Sequence, residues 1–326
     1  MGNPKMRIGF REIDIDTNRP LVDGTVKVEG FDLEISKFRG PEFVDAWDAS
    51  FGGLMDTKAN GDHPYVSIPA FPNRKFRLAY IAVNSKAGIS SPRDLEGKRV
   101  GMYASNNTAG IWARGALQNY YGVDFTRVNW FMPGPHAKSW GPGIKVTALP
   151  KSASTSDVMF NELLVNGELD AVLGPNILKG ITYKDPRIRR LFPNYKLEEQ
   201  NYFKATGIFP ISHVVTLKQD FVAKYPHAPI ALLKAYRRAS EVAFDRICGS
   251  DPEIVTSSWA AAAIDEQRAI MGDDYWTYSI KENVRTLEAM MLYAHQFGIT
   301  PVKLDYKIFF DPAAAELPHA LASVAE

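Results

Sequence analysis

Apolar and polar positions along the chain fall into short strand-like runs that alternate with helical stretches. Arg7–Phe10 and Leu33–Phe38 are β-like, and Pro41–Phe51 reads as a helix. Phe76-Arg77-Leu78-Ala79-Tyr80-Ile81-Ala82-Val83 is the clearest early strand, ended by Asn84. Arg99–Tyr103 is the next, and Ser105-Asn106-Asn107-Thr108 then opens an apolar helix from Ala109 to Tyr121. Ser and Asn belong at a helix entrance because their side-chain oxygens accept the free N–H groups of the first turn. Residues 131–156 read as a loop rich in Gly, Pro and Ser. Helix Ser156–Val165 stops at Asn166-Gly167 and is followed by the buried run Leu169–Gly174. A glycine there suits the left-handed turn that closes many helices. Ile208–Leu217 gives a further strand, and the remainder is mostly helical, over 219–248, 250–264, 265–273 and 280–297.

Strand, polar turn and helix in succession build α/β layers. Two strands, Leu78–Asn84 and Ile208–Thr216, read as crossings between lobes. Residues 1–83 together with 214–326 then form a first lobe that holds both chain ends, and residues 84–213 form an inserted second lobe. The 326 residues suit two domains at ~150 residues each. In such folds ligands sit beyond the carboxyl ends of the strands, in the cleft between lobes.

Composition removes several classes of function. Lys plus Arg number 38 and Asp plus Glu 37, a net charge of +1. A chain so balanced has no general electrostatic footprint for nucleic acid or an anionic membrane. No run of ~18 apolar residues occurs, so no bilayer span is expected. Met1 to Phe10 lacks the ~7–15 residue apolar stretch of a secretory leader, and the expected location is the cytoplasm. Cys248 is the single cysteine, which leaves no intrachain disulfide or thiolate zinc site. The six histidines show no metal-ligand spacing, so no cofactor is expected. Should a divalent ion take part, His63, Glu42 and Asp56 are the side chains to consider. Walker, dinucleotide-binding and G-x-S-x-G patterns are all missing. Trp130, Phe131 and Trp140 are candidates to line a pocket, although aromatics at a density of 12% more often belong to the core.

The remaining polar groups suggest anion binding. Arg74 and Arg77 precede the first crossing strand. Three residues apart in a strand they would face opposite ways, and a turn at Asn73-Arg74 would let both reach the cleft. A guanidinium fork matches a carboxylate bidentately. Ser105, Asn106, Asn107 and Thr108 open a helix whose free N–H groups and positive end favour an anion. Trp112 and Arg114 follow on that helix, with Arg114 either a cleft residue or an outward charge. His213, on the second crossing strand, is a candidate acid or base near neutral pH.

Three segments carry a resemblance. Phe71-Pro72-Asn73-Arg74-Lys75-Phe76-Arg77, Asn107-Thr108-Ala109-Gly110-Ile111-Trp112-Ala113-Arg114-Gly115 and Thr206-Gly207-Ile208-Phe209-Pro210-Ile211-Ser212-His213 are similar to the 4,5-dihydroxyphthalate decarboxylase family. Asp94-Leu95-Glu96-Gly97-Lys98, Gly167-Glu168-Leu169-Asp170-Ala171 and Arg190-Leu191-Phe192-Pro193 accompany them. The chain departs from that pattern at Leu78 and Ser212. The resemblance implies a two-lobe α/β fold of the periplasmic-binding-protein type II kind, with a central cleft. It implies a carboxy-lyase that removes CO2 from a hydroxylated aromatic dicarboxylate. His213, Arg74 and Arg77 would be catalytic. Ser105, Asn106, Asn107, Thr108, Trp112, Arg114 and Thr206 would hold the substrate. The partner is then a small aromatic carboxylate, with a homo-oligomer as a further option. A solute-binding protein feeding an importer shares the fold and is the alternative.

Overall fold

A computed structural model describes residues 2–61, 63–137, 140–141, 143–150, 156–248 and 256–319. Its strands form two mixed sheets. The first contains β1 (Lys5–Phe10), β2 (Asp32–Lys37), β3 (Ala46–Ser50), β4 (Tyr65–Ser67), the two-residue β5 (Asn73–Arg74) and β12 (Ile211–Lys218), in the order β2-β1-β3-β12-β4 with β5 on β12. The second contains β6 (Ile81–Asn84), β7 (Arg99–Met102), β8 (Asn129–Pro133), β9 (Lys145–Leu149), β10 (Ala171–Leu173) and β11 (Ile188–Arg190), in the order β11-β6-β10-β7-β8-β9.

Each sheet is built on parallel strands plus an antiparallel one supplied just after the chain changes sheets. β1 runs parallel to β2 and β3, and β12 returns antiparallel beside β3. β7 runs parallel to β8 and β10, and β6 lies antiparallel to β10. The carboxyl ends of the parallel strands in the first sheet therefore share an edge with the start of β12. This puts Arg11, Ser50 and His213 at one end of that sheet. In the second sheet, Tyr103 and Pro175 lie at the matching end, beside the start of β6.

Several sequence expectations need correction. Pro41–Phe51 is not a helix: a short 3-10 turn at Pro41–Phe43 gives way to β3, and the helix is Phe51–Ala59. Ala46, Trp47, Asp48 and Ala49 are all buried, so a strand covered on both faces lost the alternation that marks strands. Phe76–Val83 is not one strand, because a 3-10 turn at Leu78–Tyr80 separates Arg77 from β6. The supposed loop 131–156 contains most of β8 and all of β9, which pair in parallel. The helix over 219–248 splits into Gln219–Lys224 and Ala228–Cys248 at Tyr225-Pro226, since proline cannot continue a helical hydrogen-bond ladder. Later helices are Ala260–Met271 and Val284–Gln296, and residues 249–255 lie outside the described set.

The apolar core is continuous through both layers, with a smaller cluster beneath the second sheet around Phe160, Leu164 and Val172. Trp130 and Trp140 are buried and meet edge to face at 5.1 Å, as core residues do. The C-terminal segment packs on both layers. Helix Val284–Gln296 lies against helix Thr108–Asn119, with Trp112 edge-on to Tyr293 at 5.7 Å. Gly115 makes that approach feasible, for a Cβ there would stand 2.1 Å from the Tyr293 ring. Among the described residues no helix is long and apolar enough to cross a membrane.

Candidate active site

Two helix entrances meet where the layers face each other. One belongs to helix Phe51–Ala59, which begins directly after β3; the other to helix Thr108–Asn119, which follows β7. Thr108 Oγ1 accepts the Gly52 N–H at 2.9 Å and lies 2.8 Å from Ser50 Oγ. Asn107 caps its own helix by accepting the Gly110 N–H at 3.0 Å. Asn106 Nδ2 donates to Asp56 Oδ2 at 3.0 Å, and the Asn106 carbonyl lies so close that a Cβ on Gly52 would stand 2.3 Å from it. Hydroxyls, a backbone N–H and two positive helix ends thus converge, which is an environment for an anion.

His213 stands beside this junction. It pairs with Ser50 across β12 and β3, so the two side chains share a face. Its Nδ1 lies 3.1 Å from Asp48 Oδ2. Asp48 is fully buried, and its Oδ1 accepts the Arg11 N–H at 2.6 Å. The carboxylate is therefore held from two sides and fixes the imidazole, whose side chain keeps 15% exposure. With Nδ1 engaged, Nε2 is the nitrogen left to exchange a proton. Next to His213 in register is Asn73, whose amide donates to Glu12 Oε2 at 2.9 Å.

The arginines are divided. Both are buried, as cleft residues would be and solvated surface cations would not. Arg77 bridges the layers: it donates to the Pro175 carbonyl at 3.2 Å and to Ser212 Oγ at 2.6 Å. Ser212, one of the two departures from the family pattern, thus anchors the guanidinium beside His213. Burial depresses the Arg77 pKa, with Tyr80, Glu12 and Glu199 opposing it, and its Nε is buried without a hydrogen-bond partner. Arg74 does not join Arg77 as expected. It donates to the Phe209 carbonyl at 2.9 Å, stacks 4.3 Å from that ring and lines a separate cavity of about 230 Å³ near Thr277 and Thr286. Burial lowers its pKa to about 9. It lies in β5 opposite Ile211, where the pairing with β12 shifts register.

Three other expected substrate contacts are structural supports. Arg114 is fully buried between Trp140 and Phe297, with its guanidinium carbon 4.9 and 4.3 Å from those rings. It donates to the carbonyls of Gly110 and Ser105, so it braces the turn that presents Thr108 rather than clamping a ligand. Burial brings its pKa to about 9. Trp112 Nε1 donates to the Ile211 carbonyl at 2.7 Å and ties the helix to the second crossing strand. Thr206 closes its own helix: its hydroxyl donates to the Tyr202 carbonyl at 2.7 Å and accepts the Ile208 N–H at 3.1 Å. Ser105 serves through its carbonyl.

Asp48 and Ser50 were hidden inside the stretch Pro41–Phe51 that reads as a helix, and Gly52 just beyond it carried no signal of its own. The available signal was a lone acid within Ala46-Trp47-Asp48-Ala49-Ser50, since a buried carboxylate needs partners. Among the described residues no group of three or more His, Cys, Asp or Glu side chains is placed to hold a metal ion, and His63, Glu42 and Asp56 form no such group. His63 packs edge-on against Tyr65 and Phe309, while Asp56 is bonded to Asn106.

Comparison with known proteins adds to this geometry. The chain is 28% identical over 326 residues to a 4,5-dihydroxyphthalate decarboxylase from Comamonas testosteroni, covering 96% of this chain and 98% of the relative. It is 30% identical over 201 residues to a 4,5-dihydroxyphthalate decarboxylase from Pseudomonas putida, covering 57% and 77% respectively. No family model matches. Among solved structures it is similar to the periplasmic aliphatic sulphonate binding protein SsuA from Escherichia coli, with a TM-score of 0.54 at 14% identity over 95% of this chain and 98% of the other. It is also similar to the desulfurization enzyme DSZB, with a TM-score of 0.52 at 12% identity, covering 96% and 98%. At those identities the likeness fixes the fold alone, which is the two-lobe type II binding-protein architecture.

Proposed function

The chain belongs to the 4,5-dihydroxyphthalate decarboxylase family, and on that premise we propose that it removes one carboxylate of 4,5-dihydroxyphthalate as CO2. In this substrate each carboxylate has a ring hydroxyl para to it. That hydroxyl pushes electron density onto the carbon bearing the carboxylate. A proton from His213 Nε2 adds to this carbon. The bond to the carboxylate then breaks, its electron pair restores the aromatic ring, and CO2 departs. A hydrogen atom stands where the carboxylate was, and His213 recovers its proton from water.

The observation that carries the reading is the His213–Asp48 pair beside two convergent helix entrances. Asp48 engages Nδ1 at 3.1 Å and leaves Nε2 as the nitrogen that can meet the substrate. The second carboxylate, which does not react, is assigned to the Ser50 and Thr108 hydroxyls at the two helix entrances. The hydroxyl-to-hydroxyl bond between Ser50 and Thr108 is what an entering carboxylate would replace. Arg77, desolvated and with one N–H unpaired, supplies the compensating positive charge.

Incubating the purified chain with 4,5-dihydroxyphthalate and following CO2 release tests the reaction. His213→Gln is expected to lower kcat by at least ~100-fold, the lower bound for losing a general acid. Saturable binding without CO2 release would instead favour a solute-binding role.

A further inference from the structure

We propose that Tyr103, Asp157 and Asn176 form a face of the second sheet that reads the two neighbouring hydroxyls of a catechol ring. The inference rests on the decarboxylase reading for the identity of the ligand and deepens it. Tyr103 directly follows β7, and Asn176 lies three residues beyond β10; both sit at the carboxyl ends of parallel strands. Asp157 comes from the first turn of helix Ser156–Val165. Three separate elements therefore bring their polar groups together.

The contacts are specific. The Tyr103 hydroxyl donates to Asp157 Oδ1, and Asn176 Nδ2 donates to Asp157 Oδ2 at 2.9 Å. Each carboxylate oxygen so held keeps acceptor capacity, since an ionised carboxylate offers about four lone-pair sites. Two adjacent phenolic O–H groups match the two oxygens of one carboxylate, as two parallel N–H groups of arginine do. The Tyr103 ring rests on Phe160 with centroids 4.6 Å apart. It also fills the space above Gly174, where a Cβ would stand 2.8 Å from it. The hydroxyl is thus aimed by packing.

A continuous set of contacts joins this face to the proposed proton donor. Asn176 follows Pro175, whose carbonyl accepts from Arg77; Arg77 donates to Ser212, and Ser212 precedes His213. The Asp157 carboxylate also keeps the Tyr103 hydroxyl protonated: burial first, and the acid second, push the phenol well above its ordinary range.

The test compares 3,4-dihydroxybenzoate with benzoate by calorimetry, on the full chain and on Asp157→Asn, Tyr103→Phe and Asn176→Ala. The full chain should bind the diol more tightly than benzoate. Asp157→Asn should weaken diol binding by roughly 10–100-fold, the range for hydrogen bonds to a charged group, and leave benzoate binding within about twofold. Asn176 is exposed, so Asn176→Ala keeps the fold and should show the same selective loss on a smaller scale. Equal losses for both ligands, or a full chain that does not distinguish them, would overturn the assignment. CO2 release from 4,5-dihydroxyphthalate, measured in parallel on the full chain, separates the two readings. A chain that binds the diol selectively but releases no CO2 overturns the decarboxylase reading and sustains the hydroxyl face.

Discussion

Asp48 and His213 meet at 3.1 Å from adjacent antiparallel strands, and the carboxylate that makes the contact is also tied to the Arg11 backbone. Because Asp48 cannot rotate away, the imidazole inherits a fixed direction. Asp48→Asn preserves size but offers only one acceptor oxygen and brings no negative charge. It is expected to lower kcat by roughly 10- to 100-fold while leaving KM little changed, a smaller loss than removal of the acid itself. Steady-state kinetics on 4,5-dihydroxyphthalate decide the point. An unaltered kcat would take the pair out of the chemistry.

Gly52→Ala probes the junction of the helix entrances. The new methyl would stand 2.3 Å from the Asn106 carbonyl and 3.0 Å from Thr108 Oγ1, neither of which is the end of a long flexible chain. The two entrances must part. KM is expected to rise tenfold or more, with an overpacking penalty of about 1–3 kcal/mol in thermal unfolding. Thr108→Val, which loses the hydroxyl without the crowding, should raise KM with less effect on stability.

Arg77→Lys keeps the positive charge and removes the fork that spans Pro175 and Ser212. Substrate affinity should fall roughly 10-fold or more, the worth of one charge-assisted hydrogen bond. An Arg77→Lys protein with wild-type KM would show that charge alone suffices.

The pair Arg7–Asp45 makes a pH prediction. Desolvation raises the Asp45 pKa, but hydrogen bonds from the Arg7 guanidinium and N–H outweigh it, so the folded value lies below 3.8. A depressed carboxyl stabilises the fold above its unfolded pKa and loses that contribution as pH falls through the folded one. The difference in unfolding free energy between the native chain and Asp45→Asn should be steady above pH ~5 and shrink below pH ~4. Arg7 is half exposed, so the plateau should not exceed ~1 kcal/mol. Urea titrations across that range measure it.

Gly115→Ala addresses the contact between helices Thr108–Asn119 and Val284–Gln296. A methyl 2.1 Å from the Tyr293 ring must displace it, and the aromatic contact with Trp112 goes with it. A loss of about 1–3 kcal/mol is expected in calorimetric unfolding.

What could be read from the sequence follows a physical division. Helix Thr108–Asn119 was legible because its cap, Asn107, and its apolar run are both local signals. β12 was legible as an apolar run, and His213 stood out on it. β3 was not, because burial on both faces removed its alternation, and with it went Asp48 and Ser50. Arg114 and Trp112 were visible as residues but not as supports. Their roles depend on Trp140, Phe297 and Ile211, which the chain brings close only on folding. Arg74 and Arg77 looked equivalent in the sequence, and the 3-10 turn at Leu78–Tyr80 together with the pairing of β5 sends them to different neighbours.

The helix Val284–Gln296 has a mechanical consequence. A transport receptor must gape widely to surrender its cargo, but here Tyr293 seated over Gly115 fastens the far layer to the tail of the chain. Such a strap opposes a wide parting of the two sheets at this point. Small-angle scattering curves of the empty and filled protein should therefore nearly superimpose.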